Sequence, residues 1–575
     1  MLRLADHTNT IVMIAITMAI LYFVDSAAGV DLKSPDTHRA LWVCLRDKPD
    51  SDGTPVKWPA WNQLTADPST DRPIAPSYVE RIIRHGIAVR TQSKWLNAIS
   101  VDATGQQQQW LLDQPFVSAV RPVARMVTPP ATTLKRDETS RGKPLASAQD
   151  ANYGVSFEQL SSIGITVLHG LGFRGSGVRV GVLDSGFNFQ DHAAFSQLSV
   201  VAAHDFINGD DIVWDEQDQP VTGDETRSGQ NGHGTRVLSL LAANAHGQMI
   251  GAAPEADYLL AKVEDLGNEL PVEEDRWIAG VEWADSLGAQ VINSSLGYTR
   301  WDDGSGYTYA ELDGETAPAS IVAGMAVQRG IVVVNAAGND GDNAWRYVGV
   351  PADAEEVITV GSVNVFDLEI VRSSSRGPTA DGRIKPDVVA PGGNVVVAQS
   401  NGSYSRASGT SLATPLVAGA CALLLQINPR WSPREVAQAL RQTARDLGAA
   451  GPDTAYGWGL VDAAVASGLN MKVPTESAAK LPFPNPLRFS GAGGVVYFPL
   501  ALSAQDEVAV YIYDLSGGKV AELPGLQLEA GDYSSPERAL RWSVSGDLNS
   551  GLYIYHMLAG TFSHTGKLAL VRTGD

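Results

Sequence analysis

Four side chains with complementary chemistry punctuate the middle of this 575-residue sequence. Asp184 closes the apolar run Val182-Leu183-Asp184-Ser185-Gly186. A carboxylate at the C-terminal edge of a buried strand faces the crevice of an open α/β sheet. His233 stands in Asn231-Gly232-His233-Gly234-Thr235, with glycine on both sides, so its imidazole is uncrowded and suited to general-base work. Asn339 ends Val334-Asn335-Ala336-Ala337-Gly338-Asn339, where its amide could donate to a developing oxyanion. Ser411 lies in Ser408-Gly409-Thr410-Ser411-Leu412-Ala413-Thr414-Pro415, just where a loop enters an apolar stretch running to Leu425. Free N–H groups and the positive end of a helix would stabilise negative charge there. Each residue has a plainer reading alone: turn former for Asp184 and Asn339, structural imidazole for His233, N-cap for Ser411. Together they are the parts of nucleophilic acyl transfer, a hydroxyl activated by a base that a carboxylate orients.

These residues need a frame, and the block from 151 to 470 alternates strand and helix. Apolar runs at 178–183, 258–263, 290–293, 331–335 and 357–360 have the continuous β-branched character of strands buried on both faces. Helical stretches at 271–287 and 317–329 lie between them, so the pattern predicts an α/β fold with a doubly wound parallel sheet. Ser432-Pro433-Arg434-Glu435 combines N-cap, first-turn proline and capping-box glutamate, which predicts a helix from 433 to about 445.

The flanks have a different character. Residues 1–28 read as a signal peptide: Arg3 precedes the apolar run Ile11–Val24, and small residues follow. That run is shorter than the roughly 20 residues of a membrane span. Residues 29–126 read as β, α, β, α, β, a small α+β unit with strands at 40–45, 95–101 and 117–120 and helices at 78–85 and 106–112. The Pro- and Thr-rich stretch 127–150 is a linker. A second linker, 471–480, leads to residues 481–575, whose short alternating strands and regular turns predict a β-sandwich.

Charge narrows the function classes. The chain carries 43 Lys and Arg against 64 Asp and Glu, a net of −21. Residues 1–150 hold 17 basic and 15 acidic groups, 151–470 hold 18 and 39, and 471–575 hold 8 and 10, so the acidity sits in the middle block. Such a surface repels nucleic acid and anionic lipid, and nucleic-acid binding is excluded on that ground. Two cysteines, Cys44 and Cys421, are too few for a disulfide framework or a cysteine-ligated zinc site.

The order Asp, His, Asn, Ser and the wording around each resemble the subtilisin-like serine proteases, the subtilase family, over about 151–470. Ser373-Ser374-Ser375-Arg376-Gly377-Pro378 and Lys385-Pro386-Asp387-Val388-Val389-Ala390-Pro391-Gly392 add to the resemblance. Asp before His before Ser separates it from chymotrypsin-like enzymes and α/β-hydrolases. The resemblance implies a secreted or cell-surface serine endopeptidase in which Asp184 orients the imidazole, His233 takes the proton and Ser411 attacks the peptide carbonyl. Asn339 and the Ser411 N–H would form the oxyanion hole. It implies that Ser294, Ser295, Leu296 and Gly297 pair with the substrate backbone, and that Ala336, Ala337 and Gly338 wall the primary pocket. It also implies a zymogen whose own prodomain, 29–126, inhibits it, with Val120–Met126 able to lie in the cleft. No cofactor is required for such chemistry. Structural calcium is common in the family, and the acidic insert from Asp205 to Glu225 could ligate it or could be a solvated loop.

Leu412, Leu416 and Arg236 depart from the family pattern, where Met, His and His are usual, and none of them lies on the proton path. Two other readings compete. One is an inactive adhesion scaffold, to which the filled catalytic positions give no support. The other is an esterase, although Gly409-Thr410-Ser411-Leu412-Ala413 lacks the final glycine of the G-x-S-x-G elbow. The C-terminal residues, from Pro484-Asn485-Pro486 through Asp514-Leu515-Ser516-Gly517 to Gly551-Leu552-Tyr553 and Thr565-Gly566-Lys567-Leu568, resemble type IX secretion sorting domains and related immunoglobulin-like modules. This implies an outer-membrane secretion machinery as partner, or a passive β-module.

Overall fold

A computed structural model describes residues 38–126, 153–215, 230–469 and 476–573, with short breaks inside these ranges. The expected signal peptide, the linker 127–150 and residues 471–475 of the linker 471–480 lie outside the described residues. The chain divides into two compact units, the first formed within residues 1–58, 73–92 and 97–123 and the second by the remainder.

The first unit is an α+β structure. Its antiparallel sheet runs in the order Ala88–Ser93, Ala98–Ala103, Arg39–Leu45, Val117–Pro122. The helices Pro76–Arg84 and Gly105–Leu112 accompany it, the latter started by a Thr104/Gln107 capping box. Leu41, Val43, Ile82, Ile99, Val101 and Leu111 form its core. The strand expected from residue 95 begins three residues later, because 94–97 form a turn through Asn97, whose φ is +47°. The strand Ala88–Ser93, Ala-Val-Arg-Thr-Gln-Ser, was not expected, since its polar residues hide the apolar alternation.

The second unit holds a seven-stranded, wholly parallel sheet in the order Val388–Gly393, Ile358–Asn364, Val332–Ala336, Val291–Ser294, Arg179–Asp184, Asp257–Lys262, Ser199–Asp205. Five of these strands match the expected apolar runs. Ser199–Asp205 is an exposed edge of mixed polarity, and Val388–Gly393 ends in Pro-Gly-Gly, so neither carries the pattern of a buried strand. Helices Val272–Ser286, Pro318–Gln328 and Pro433–Thr443 lie within two residues of their expected ends. The helix Thr410–Ile427 is apolar on every side and nearly all buried, which identifies it as a core helix despite a length and hydropathy that could cross a membrane.

Parallel pairing sets the site. Arg179–Asp184 lies between Val291–Ser294 and Asp257–Lys262, with Leu183 opposite Ser294 and Asp184 opposite Lys262. Asn335 lies opposite Ser294 on the next strand. The ends carrying Asp184, Ser294 and Ala336 are therefore side by side at the carboxyl edge of one sheet, where open α/β folds bind ligands.

The last hundred residues are all-β. A five-stranded sheet runs Leu487–Phe489, Phe562–Arg572, Gly551–Ala559, Asp506–Tyr513, Lys519–Leu528, accompanied by a three-stranded sheet and the pair Gly494–Phe498 with Leu540–Val544. Alternate residues point inward, and Phe498, Val510, Ile512, Trp542, Tyr555 and Met557 fill a core of their own.

Candidate active site

Asp184 is fully buried at its strand end. Its Oδ1 lies 2.7 Å from His233 Nδ1 and also accepts the Ser185 N–H at 2.8 Å and the Ser185 hydroxyl at 3.2 Å. Three partners on one oxygen fix the plane of the carboxyl. His233 is the second residue of the helix Gly232–Ala242, and its ring keeps some exposure to solvent. The flanking Gly234 is required for this approach. A Cβ there would stand 2.1 Å from the Gly186 carbonyl oxygen and 3.1 Å from Asp184 Oδ1.

Ser411 is the second residue of the helix Thr410–Ile427, and Gly409 holds the cap position. The N-cap reading of Ser411 is thereby corrected: the hydroxyl is free of capping and the Ser411 N–H belongs to the helix's first turn, where it has no intrahelical acceptor. Ser411 Oγ makes no hydrogen bond with His233 here; such links are commonly long before substrate arrives.

Asn339 meets the same helix start. Its Oδ1 accepts the Thr410 N–H at 3.0 Å and the Thr410 hydroxyl at 3.2 Å. With the oxygen committed to Thr410, the amide NH2 is the end left to donate. Gly338, at φ +107°, turns the chain to bring Asn339 there, and a Cβ on it would press on Ser375 Oγ at 2.9 Å. Thr410 was missed in the sequence, yet it also bonds to both the N–H and the carbonyl of Gly338. Only its adjacency to Ser411 could have pointed to it.

The residues Ser294–Gly297 continue their strand past the sheet. Ser294 accepts Trp277 Nε1–H, Ser295 Oγ donates to the Ser411 carbonyl at 2.8 Å, and the Leu296 carbonyl accepts from Asn335. Residues 295–297 have no main-chain ladder partner in the described chain, which leaves a strand edge open. Ala336 ends its strand, and Ala337 packs with Val348 and Ala352 in a small apolar cluster. Leu412 and Leu416 are core residues, and Cys421 is a buried thiol whose pKa burial pushes up, which makes it inert.

The described carboxylates do not compose a calcium cage. Asp205 is paired with buried Lys262 at 2.8 Å, Asp210 accepts the Ile212 N–H, Asp211 meets His204, and Asp215 accepts the Asn231 N–H. Glu216, Asp218, Asp224 and Glu225 lie outside the described residues. Glu264, Glu269 and Glu273 come within 4.8 Å of one another. Burial and repulsion between neighbouring carboxylates raise Glu264 well above the usual carboxylate range and Glu273 to about 8.

Comparison with known proteins gives two family matches. The model described as "Subtilase family" matches residues 175–459, and "Peptidase S8 propeptide domain, Bacteroidota" matches 62–140. Neither reaches the C-terminal β unit. Subtilisin E of Bacillus subtilis (strain 168) is 35% identical over 326 residues, covering 56% of this chain and 72% of that protein. Subtilisin of Bacillus pumilus is 34% identical over 326 residues, and Subtilisin Savinase of Lederbergia lenta 32% over 322; each alignment covers 56% of this chain and 100% of the relative.

Proposed function

The chain belongs to the subtilase family, as a serine endopeptidase made as a zymogen, and within that membership we propose that Asp184, His233 and Ser411 are its triad and Asn339 its oxyanion donor. The observation that carries this is the 2.7 Å link from buried Asp184 to His233 Nδ1, which commits that nitrogen as donor and leaves Nε2 as the base. In the reaction Nε2 takes the Ser411 proton as Oγ attacks the peptide carbonyl. The imidazolium is stabilised by Asp184, which stays ionised. The oxyanion receives the Asn339 amide and the Ser411 N–H, and the proton then passes to the leaving amine. Water repeats the sequence on the acyl-enzyme.

Ser294–Gly297 takes the substrate backbone by β-augmentation, which reads main chain more than side chain. Ala336, Ala337 and Gly338 form one wall of the primary pocket. The chain is exported by residues 1–28, inhibited by the prodomain 29–126 until cut within 127–150, active as 151–470, and carries 481–575 beyond a linker at 471–480. The C-terminal unit is a sorting module for an outer-membrane secretion machinery, supported by its motifs and by the Bacteroidota form of the propeptide match. Catalysis needs no cofactor.

Casein cleavage by wild type and by Ser411→Ala tests the reading. Wild type is expected to digest casein and to lose that activity to a serine-directed phosphonylating reagent, and the variant to do nothing. Turnover of a short acyl ester without casein cleavage would replace the peptidase reading by an esterase.

A further inference from the structure

A second strand edge grows out of the substrate-pairing segment. Past Gly297 the chain forms a hairpin: Tyr298 exchanges both main-chain bonds with Val350, at 2.7 and 3.0 Å, and the chain returns through Ser305–Gly306. Trp301 N–H donates to the Ser305 carbonyl and Tyr307 N–H to the Thr299 carbonyl, each at 2.9 Å. Successive residues of a strand alternate in hydrogen-bonding direction, so Gly306, between these two, turns its N–H and C=O to the other side. There it meets Arg125, with Ser305 opposite Met126, in an antiparallel pair. The segment expected to lie in the catalytic cleft thus ends, among the described residues, on this hairpin.

The edge is built in advance. Tyr307 Oη donates to buried Glu274, with both carboxylate oxygens within 2.9 Å, and the Trp301 ring lies 5.5 Å from that of Tyr307 and 6.3 Å from that of Tyr298. Asp302 N–H donates to the Glu269 carbonyl, and Glu269 N–H donates back to the Asp302 carboxylate. Gly306 has no room for a side chain, since a Cβ would stand 2.6 Å from the Thr299 carbonyl oxygen. A rigid strand edge presenting bare main chain pairs with main chain whatever its sequence. Arg125–Met126 falls inside the propeptide match, so its departure on maturation leaves the edge unpaired.

We propose that Ser305–Gly306 is a distal substrate-binding strand, which in the mature enzyme pairs antiparallel with an upstream segment of an extended polypeptide, in the place Arg125–Met126 holds in the zymogen. This rests on the protease reading and gives its substrate class as unfolded or extended protein chains over short peptides. The edge is separate from Ser294–Gly297 and acts on binding, leaving the chemical step alone.

The test uses mature enzyme and a series of peptides sharing one cleavable core, lengthened stepwise on the upstream side. Wild type is expected to show KM falling about tenfold once the extension spans the hairpin, with kcat unchanged. Gly306→Pro, which removes the outward N–H, is expected to lose the dependence on length, its KM for the longest peptide matching its own KM for the short core. Because that proline also disturbs the hairpin, amide exchange at Gly306 is followed in phosphonylated wild type, where the longest peptide is expected to slow it and the short core to leave it fast. A KM indifferent to length, a length effect that survives Gly306→Pro, or unchanged Gly306 exchange at saturating long peptide overturns the inference while leaving the protease intact. If no peptide of any length is cut, the protease reading itself fails and this site with it.

Discussion

In the proposed oxyanion hole, Asn339 and Thr410 separate the donor group from the side chain that holds it. Removing the amide with Asn339→Ala is expected to lower kcat by roughly 10²- to 10³-fold, a magnitude carried over from subtilisin, with little change in KM. Thr410→Val keeps the amide but removes the hydroxyl that accepts the Gly338 N–H and donates to the Asn339 oxygen. Its expected effect is smaller, about tenfold on kcat, and Thr410→Ser should restore most of the rate, an outcome that steady-state kinetics on one short substrate would decide. The proposed triad and Asn339 stand out in the sequence because glycines and an unusual order of polar residues mark them. Thr410 and Ser295 were not legible as supports, because a hydroxyl beside a nucleophile carries no sign of which backbone atom it will meet. Their partners, Gly338 and the Ser411 carbonyl, lie 72 and 116 residues away.

At the scale of elements, one contact couples the propeptide match to the helix Val272–Ser286. Glu282, buried on that helix, accepts the Ser93 hydroxyl at 2.5 Å and the N–H groups of Lys94 and Trp95 at 3.1 and 3.2 Å. Burial raises its carboxyl from 4.5 to about 7, against these donors and the nearby Lys94 charge. A carboxyl whose pKa is raised in the docked state binds a proton more tightly there than when released. Docking is then strongest below the ordinary value and weakens as pH climbs through the raised one. Propeptide inhibition of the mature enzyme is accordingly expected to loosen between about pH 5 and pH 8, and Glu282→Gln to flatten that dependence. An inhibition constant that tightens with pH would contradict it. Strands buried on both faces announced themselves by unbroken Val, Ile and Leu. The edge strand Ser199–Asp205 and the polar strand Ala88–Ser93 stayed hidden because only their neighbours in space, and not their own residues, make them strands.

For the whole molecule, the separate cores set what can be removed. The C-terminal β unit packs Phe498, Trp542 and Tyr555 among its own strands, with none of these in the core of the parallel-sheet domain. Phe498→Ala is expected to cost about 3–5 kcal/mol locally. That should melt the β unit early in calorimetry while casein cleavage persists at lower temperature. Loss of cleavage at temperatures where the parallel sheet stays folded would show that the two units depend on each other.

The central claim is that Ser411, activated by His233 and Asp184, both releases the propeptide and cuts substrate. Chain mass followed over time for residues 29–575, as wild type and as Ser411→Ala, addresses both at once. Wild type is expected to shorten from its N-terminus to a product beginning between residues 127 and 151, to take up one phosphonyl group at Ser411, and to digest casein; Ser411→Ala should stay full length and unlabelled. An alanine variant that still shortens and digests casein, or a wild type labelled at another serine, would contradict the account.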